Sequence, residues 1–152
     1  MITETIQNPR RNPVIQFSIF TPNRLGRVHD LVSLLGNHQV HVLALTVLDT
    51  TDSAIMRVVV DDPDKADRLL AEHGFPHSKS RIVVVEVESP EELTRLMAAL
   101  LEAELNVHYL YSFIPHPRGK SILGLSMEDC DLGEQALQRH QFAVLRQSDL
   151  SR

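Results

Sequence analysis

The chain alternates β-branched runs with stretches whose apolar residues recur every three or four positions, and it does so twice. Val14-Ile15-Gln16-Phe17-Ser18-Ile19-Phe20 is β-branched and aromatic, which predicts a strand with one better-buried face. Val28, Leu31, Val32 and Leu35 then follow i, i+3, i+4, i+7 spacing, so a helix should run to about Leu35, with Gly36-Asn37 as its stop. Val40 to Leu48 and Ala54 to Val60 predict two strands joined by the polar turn Asp49-Thr50-Thr51-Asp52, hence a hairpin. Asp62-Pro63-Asp64 supplies a cap, a proline at the first helical position and an acid in the first turn; the stripe Ala66, Leu69, Leu70 carries that helix towards Gly74.

After Phe75-Pro76-His77, which begins a short fourth strand or connection, Arg81 to Val87 is the strongest β pattern in the chain, and the series restarts. Leu93, Leu96, Met97, Leu100 and Leu101 form a helical stripe, Val107 to Ile114 a strand, His116 to Lys120 a turn and Ser121 to Met127 a strand. Asp131 to His140 is helical, and Phe142 to Arg146 a last strand. Residues match at an offset of roughly 65 positions: His41-Val42 with Asn106-Val107, Leu31 with Leu96 and Leu35 with Leu100. Beyond the hairpin turn, where insertions are tolerated, the offset grows by about two: Ile55 falls on Ile122, Leu70 on Leu137, His73 on His140 and Phe75 on Phe142. The fold class implied is α+β: two ferredoxin-like βαββαβ units in tandem, each an antiparallel sheet with its helices on one face. Residues 1–13 read as a flexible arm, 14–78 as the first unit and 79–152 as the second. Because such a module has an open edge and a small core, the two units, or two chains, should lie side by side in a continuous sheet.

Composition narrows the function classes. An apolar content of 43% supports a core without disulfides, and the single cysteine, Cys130, fits a reducing, cytoplasmic setting. The N-terminal segment has no apolar run suited to a signal peptide or membrane span. A net charge of −5 and 5% aromatics without tryptophan argue against nucleic acid as a partner.

The candidate chemistry sits in Phe20-Thr21-Pro22-Asn23-Arg24-Leu25-Gly26-Arg27-Val28, which joins the first strand to the first helix. A helix start presents unpartnered N–H groups and the positive end of the peptide dipoles, which attract carboxylates and phosphates. Gly26 allows close approach to the backbone, Arg24 and Arg27 add positive charge, and no acid lies between Phe20 and His29. The bland alternative is a tight turn with solvated arginines.

The doubled βαββαβ pattern, the turn Asn23-Arg24-Leu25-Gly26 and strands beginning His41-Val42 and Asn106-Val107 resemble the ACT domain, and Val107 to Phe113 resembles the second unit of stand-alone tandem ACT proteins. The resemblance spans Val14 to Leu145. It implies a regulatory, non-enzymatic module that binds a small molecule, usually an amino acid, between paired units, touching the turn of one and the second-strand start of its neighbour. Carried over by position, the ligand-binding candidates are Asn23, Leu25 and Gly26, with His41 and Asn106 at the strand starts; Arg24 and Arg27 join them as the cations of the turn, and Tyr111 as a candidate pocket residue on the face it shares with Tyr109, with packing against a helix as the alternative. The family's proline is Leu25 here, and its glycine is Glu91 in the second unit. There Ser89-Pro90-Glu91-Glu92 reads as a capping box that already satisfies the helix start, so the first unit's turn should bind and the second's should be structural.

A homodimer is expected, and no cofactor. Of the eight histidines, His73 and His77 surround a helix end and no pair shows i, i+4 spacing within a helix, so they are read as surface or capping groups and no metal site is expected. No catalytic residue is expected either, because three acids around Cys130 disfavour a thiolate and no nucleophile or phosphate-loop motif occurs. The competing reading is a regulatory or interaction subunit of an amino-acid biosynthetic enzyme such as acetolactate synthase, whose ACT strand resembles Leu43-Ala44-Leu45-Thr46-Val47. A third is an enzyme on the same scaffold, since fold alone does not fix activity.

Overall fold

The computed structural model describes residues 12–22, 26–114 and 120–151. In these, the elements are β1 (Val14–Pro22), α1 (Arg27–Asn37), β2 (Val42–Asp49), β3 (Ser53–Val60), α2 (Pro63–Glu72) and β4 (His77–Val87), then α3 (Pro90–Glu102), β5 (Val107–Ser112), β6 (Ser121–Met127), α4 (Cys130–Arg139), β7 (Val144–Leu145) and α5 (Gln147–Leu150). The sheet runs β2-β3-β1-β4-β6-β5, with β7 also on β4, and every pairing is antiparallel. The first unit therefore reads β4-β1-β3-β2 and the second β7-β4-β6-β5, one ferredoxin-like order used twice. The shared strand is β4: His77 to Ile82 pair with β1, and Val83 to Val87 with β6. The expected boundary between residues 78 and 79 falls inside this unbroken strand.

Strand alternation sorts the side chains into three cores. Phe17, Ile19, Met56, Val58 and Val60 meet Leu31 and Leu35 of α1 and Leu69 and Leu70 of α2. Val83, Val85, Leu125 and Met127 meet Leu96 and Leu100 of α3 and Leu137 of α4. Val14, Ala44, Val59, Ile82, Val84 and Phe113 form the third, between the helix-free faces of the two units. The continuous sheet is thus present, but it curls until those faces meet rather than lying flat. At one corner the outer strands touch, the Ile114 N–H donating to the Leu43 carbonyl at 2.9 Å.

Repeated local devices confirm the duplication. Bulges fall at matching points, between Val42 and Ala44 in β2 and between Val107 and Tyr109 in β5. Each turns the chain over: Val42 and Val107 pack under helices, whereas Ala44 and Tyr111 face the other unit. Asp62 caps α2 by accepting from the Lys65 amide at 3.2 Å, and Asp129 caps α4 by accepting from Leu132 at 3.0 Å. Past α1 to α4 stands a left-handed residue, Gln39, Gly74, Glu104 or Gln141. The following apolar N–H returns to the last turn: Val40 to Leu35, Phe75 to Leu70, Leu105 to Leu100, Phe142 to Leu137.

Several local expectations need correction. Gly36-Asn37 lies within α1, and the reversal comes at Gln39. Ser89 makes no side-chain cap; the Glu92 carboxylate, held by Arg95 at 3.0 Å, accepts from the Glu88 amide at 2.7 Å instead. Val28 and Val32 of the α1 stripe and Leu93 and Leu101 of the α3 stripe are exposed, Leu101 at 77%. The last strand is only Val144–Leu145, because the chain turns into α5 and binds the first unit. There Gln147 donates from Nε2 to the Val60 carbonyl at 3.0 Å and from its amide to Asn12 at 3.1 Å.

Gly124 on β6 faces the third core, and a Cβ there would come within 3.1 Å of Phe113, 3.2 Å of Ile82 and 3.3 Å of Tyr111. Gly124→Leu should therefore destabilise the fold by about 1–3 kcal/mol through overpacking, read as a lower urea midpoint with an unchanged m-value.

Candidate functional site

Gly26 is the N-cap of α1, in the left-handed region at φ 89°, and as a glycine it offers no capping side chain of its own. Among the described residues, nothing lies within 4 Å of a Cβ built on Gly26. Asn23, Arg24 and Leu25 lie outside the described residues. Arg27 is turned back onto its own unit: Nε donates to Thr21 Oγ1 at 3.0 Å, the guanidinium lies 4.3 Å from the Phe75 ring centroid, and Asp30 stands at 3.6 Å. Its cation therefore braces the turn. The matching position in the second unit is Glu91, beside a helix start where Glu92 already occupies the Glu88 amide.

His41 precedes β2 with its side chain 75% exposed, and Asp61 grips it twice, accepting from the backbone amide at 2.8 Å and meeting Nδ1 at 2.7 Å. Asp61 is held in turn by the C-terminal segment, its carbonyl accepting from Ser151 Oγ at 2.6 Å. Asn106, the equivalent residue before β5, is exposed. Among the described residues no hydrogen bond or ion pair joins Gly26 or Arg27 to His41, Asn106 or Tyr111 within one chain.

Tyr111 lies elsewhere, on the helix-free face, in the contact between units. Its hydroxyl donates to Gln16 Oε1, while Gln16 Nε2 donates to Tyr109 at 2.7 Å and to Ser80 at 3.3 Å. Gln16 is fully buried, and the Arg57 guanidinium lies 4.1 Å from the Tyr109 ring centroid. Burial, followed by the neighbouring Tyr109, pushes the Tyr111 phenol well above the ordinary tyrosine range, so it stays a neutral donor. Tyr109 and Tyr111 do share a face, as their spacing requires, and that face meets β1 and β3 rather than a helix. Sequence reasoning passed over Gln16; its signal was a lone amide at an inward position of an otherwise apolar strand.

A cleft of about 450 Å³ opens at the start of β1, lined by Ile15, Asp64, Lys79, Arg81 and Gln147 among others. Its cations are engaged, Lys79 with Asp67 at 2.9 Å and Arg81 with Asp131 and Glu134 at 2.9 and 3.0 Å. The Cys130 thiol is pushed up by burial, which Arg81 partly offsets and the nearby acids reinforce, and this disfavours the thiolate. Among the described residues no set of three or more His, Cys, Asp or Glu gathers into a metal site.

A family model for the ACT domain pair matches residues 12–152. The chain belongs to the ACT domain pair family. Protein BT0572 from Bacteroides thetaiotaomicron is similar in structure, with a TM-score of 0.84 and 25% identity over 92% of this chain and 96% of that one. The regulatory subunit of aspartate kinase from Thermus thermophilus, in a ligand-free form, matches at a TM-score of 0.64 and 16% identity over 86% and 93%. No curated protein sequence matches the chain.

Two outcomes follow from this geometry. Gln16→Leu strands two phenols in the inter-unit contact and should cost about 2–3 kcal/mol in urea unfolding, far more than an exposed Gln→Leu change. The Asp67 carboxyl is held below its ordinary 3.8 by hydrogen bonds from Lys79 and then His77. Its contribution is complete above that value and fades as pH falls through the lower folded one, so Asp67→Asn should flatten the loss of melting temperature below about pH 4.

Proposed function

We propose that this ACT pair is a regulatory protein that binds a small zwitterion, an amino acid, between ACT units of two copies of the chain. The ligand carboxylate sits at the start of α1 beside Gly26, within the turn that also carries Asn23, Arg24 and Leu25. His41 of the neighbouring copy, oriented by Asp61, approaches from the second-strand start. The observation that supports this reading is the difference between the two helix starts: α1 begins with a left-handed glycine at its N-cap, whereas α3 begins with Glu91 and Glu92 in its first turn, whose carboxylates disfavour a bound anion. The edge strand β2 supports a homodimer, since Val47 and Leu48 on it are exposed apolar residues. Among the described residues no helix is long and apolar enough to cross a membrane.

A second reading, regulation through a partner enzyme, draws support from the likeness to a protein described as the regulatory subunit of aspartate kinase. Both readings require a ligand with different affinities for two states of the assembly.

Calorimetry of the full chain against the twenty amino acids should give saturable heat for one or a few of them. Gly26→Asp, which places a carboxylate at the helix start, should weaken that binding at least tenfold, and Gly26→Asn, which carries the same backbone strain without the charge, should weaken it less. Equal affinities for wild type and Gly26→Asp would remove the turn from the site.

A further inference from the structure

His38 and His73 stand 35 positions apart in the sequence, and the fold brings them together. Each is the C-cap of a helix, His38 of α1 and His73 of α2, and their ring centroids lie 6.0 Å apart with planes tilted by 59°. In both rings Nδ1 faces a backbone carbonyl of its own helix, Leu34 at 2.9 Å and Leu69 at 3.0 Å. A carbonyl oxygen only accepts, so Nδ1 carries the proton, and in the neutral ring Nε2 keeps its lone pair. That is the tautomer and the backbone anchoring seen in metal-ligating histidines, whose second nitrogen is fixed by a carbonyl or carboxylate.

We infer that His38 and His73 form a two-histidine site for a borderline divalent transition cation such as Zn²⁺, bound through the two Nε2 atoms and completed by water. Two rings sharing one ion at N–metal distances of about 2.0–2.1 Å have centroids roughly 5–6 Å apart, a range that reaches the observed 6.0 Å. The site lies at the C-terminal ends of two helices, where aligned peptide dipoles favour positive charge. Imidazole pairs suit zinc, nickel and copper and discriminate against magnesium.

Capping alone does not account for the pair. In the second unit Ala103 occupies the C-cap of α3, and His140, the C-cap of α4, turns Nε2 to Glu102 at 3.1 Å. The two-ring arrangement belongs to the first unit, where a bound ion ties together the far ends of α1 and α2. It does not depend on the proposed amino-acid site at the opposite end of α1.

The test uses the untagged full chain and Zn²⁺ alone, with Mg²⁺ as control. Calorimetry should give one zinc equivalent, weakened at least tenfold by either His38→Ala or His73→Ala, and the double variant should bind no more weakly than the singles. His29→Ala should bind as wild type, and zinc, not magnesium, should raise the melting temperature of wild type only. In unsubstituted protein, substoichiometric Ni²⁺ should broaden the ring signals of His38 and His73 before those of other histidines. Zinc binding that survives either substitution, falls in additive steps, follows other histidines or is absent at millimolar metal overturns the site.

Discussion

The unbroken alternation of β4 is the constraint on which the two-unit architecture depends. A strand without a bulge places every second side chain on one face, so His77, Lys79 and Arg81 must share a side with Val83, Val85 and Val87. The first three meet helical partners, Asp67 on α2 and Asp131 and Glu134 on α4, and the last three lie in the core under α3 and α4. Both helix layers are therefore committed to one side of a single sheet. The opposite faces carry Val14, Val59, Ile82 and Val84, which would be left in water if the sheet stayed flat. Curling it until those faces meet removes that apolar surface at about 25 cal/mol per Å².

The meeting faces are not copies of one another, and the difference fixes how they fit. By strand register, Ser18 opposite Arg57 in the first unit corresponds to Val84 opposite Gly124 in the second. The first unit thus presents a polar lane with a long cation, and the second a shallow apolar one floored by a glycine. Tyr111 and Phe113 lie over Gly124, and Tyr109 extends under Arg57, with both hydroxyls ending on the buried Gln16 amide. A buried amide satisfied by two phenols tolerates few alternative registers, since sliding either sheet by one residue leaves all three groups without partners.

Much of this was legible in the sequence because it depends on period and local chemistry. The two-residue growth in offset marked the hairpin turns, and Asp62-Pro63 announced the α2 cap that Asp129 repeats on α4. What escaped depends on side-chain pairings that spacing alone does not fix. Ser89 and Glu92 have the spacing of a capping box, yet Arg95 diverts the carboxylate to Glu88. Arg27 looked like a ligand cation, but Phe75 and Thr21, on other elements, hold it. His38 and His73 show no helical spacing because they lie on two helices that only the packed unit brings together. The strand expected from Phe142 to Arg146 was cut short by tertiary demands: Phe142 is drawn into the second core and Arg146 binds Glu134 through both carboxylate oxygens.

Magnitudes indicate how the proposed amino-acid site must be assembled. A carboxylate at an exposed helix N-terminus gains about 0.3–1 kcal/mol from the dipole, and each neutral hydrogen bond adds about 0.5–1.5 kcal/mol net. Micromolar affinity needs about 8 kcal/mol. The described residues next to the Gly26 turn offer no side-chain cation to close that gap, because the Arg27 guanidinium is already engaged with Thr21, Phe75 and Asp30. His41 is exposed and held by Asp61, but among the described residues no hydrogen bond or ion pair links it to Gly26 within the chain. In the proposed site, the Gly26 turn and the exposed His41 ring are two halves that an interface between copies would unite, and ligand binding there would then be thermodynamically inseparable from association of the two chains.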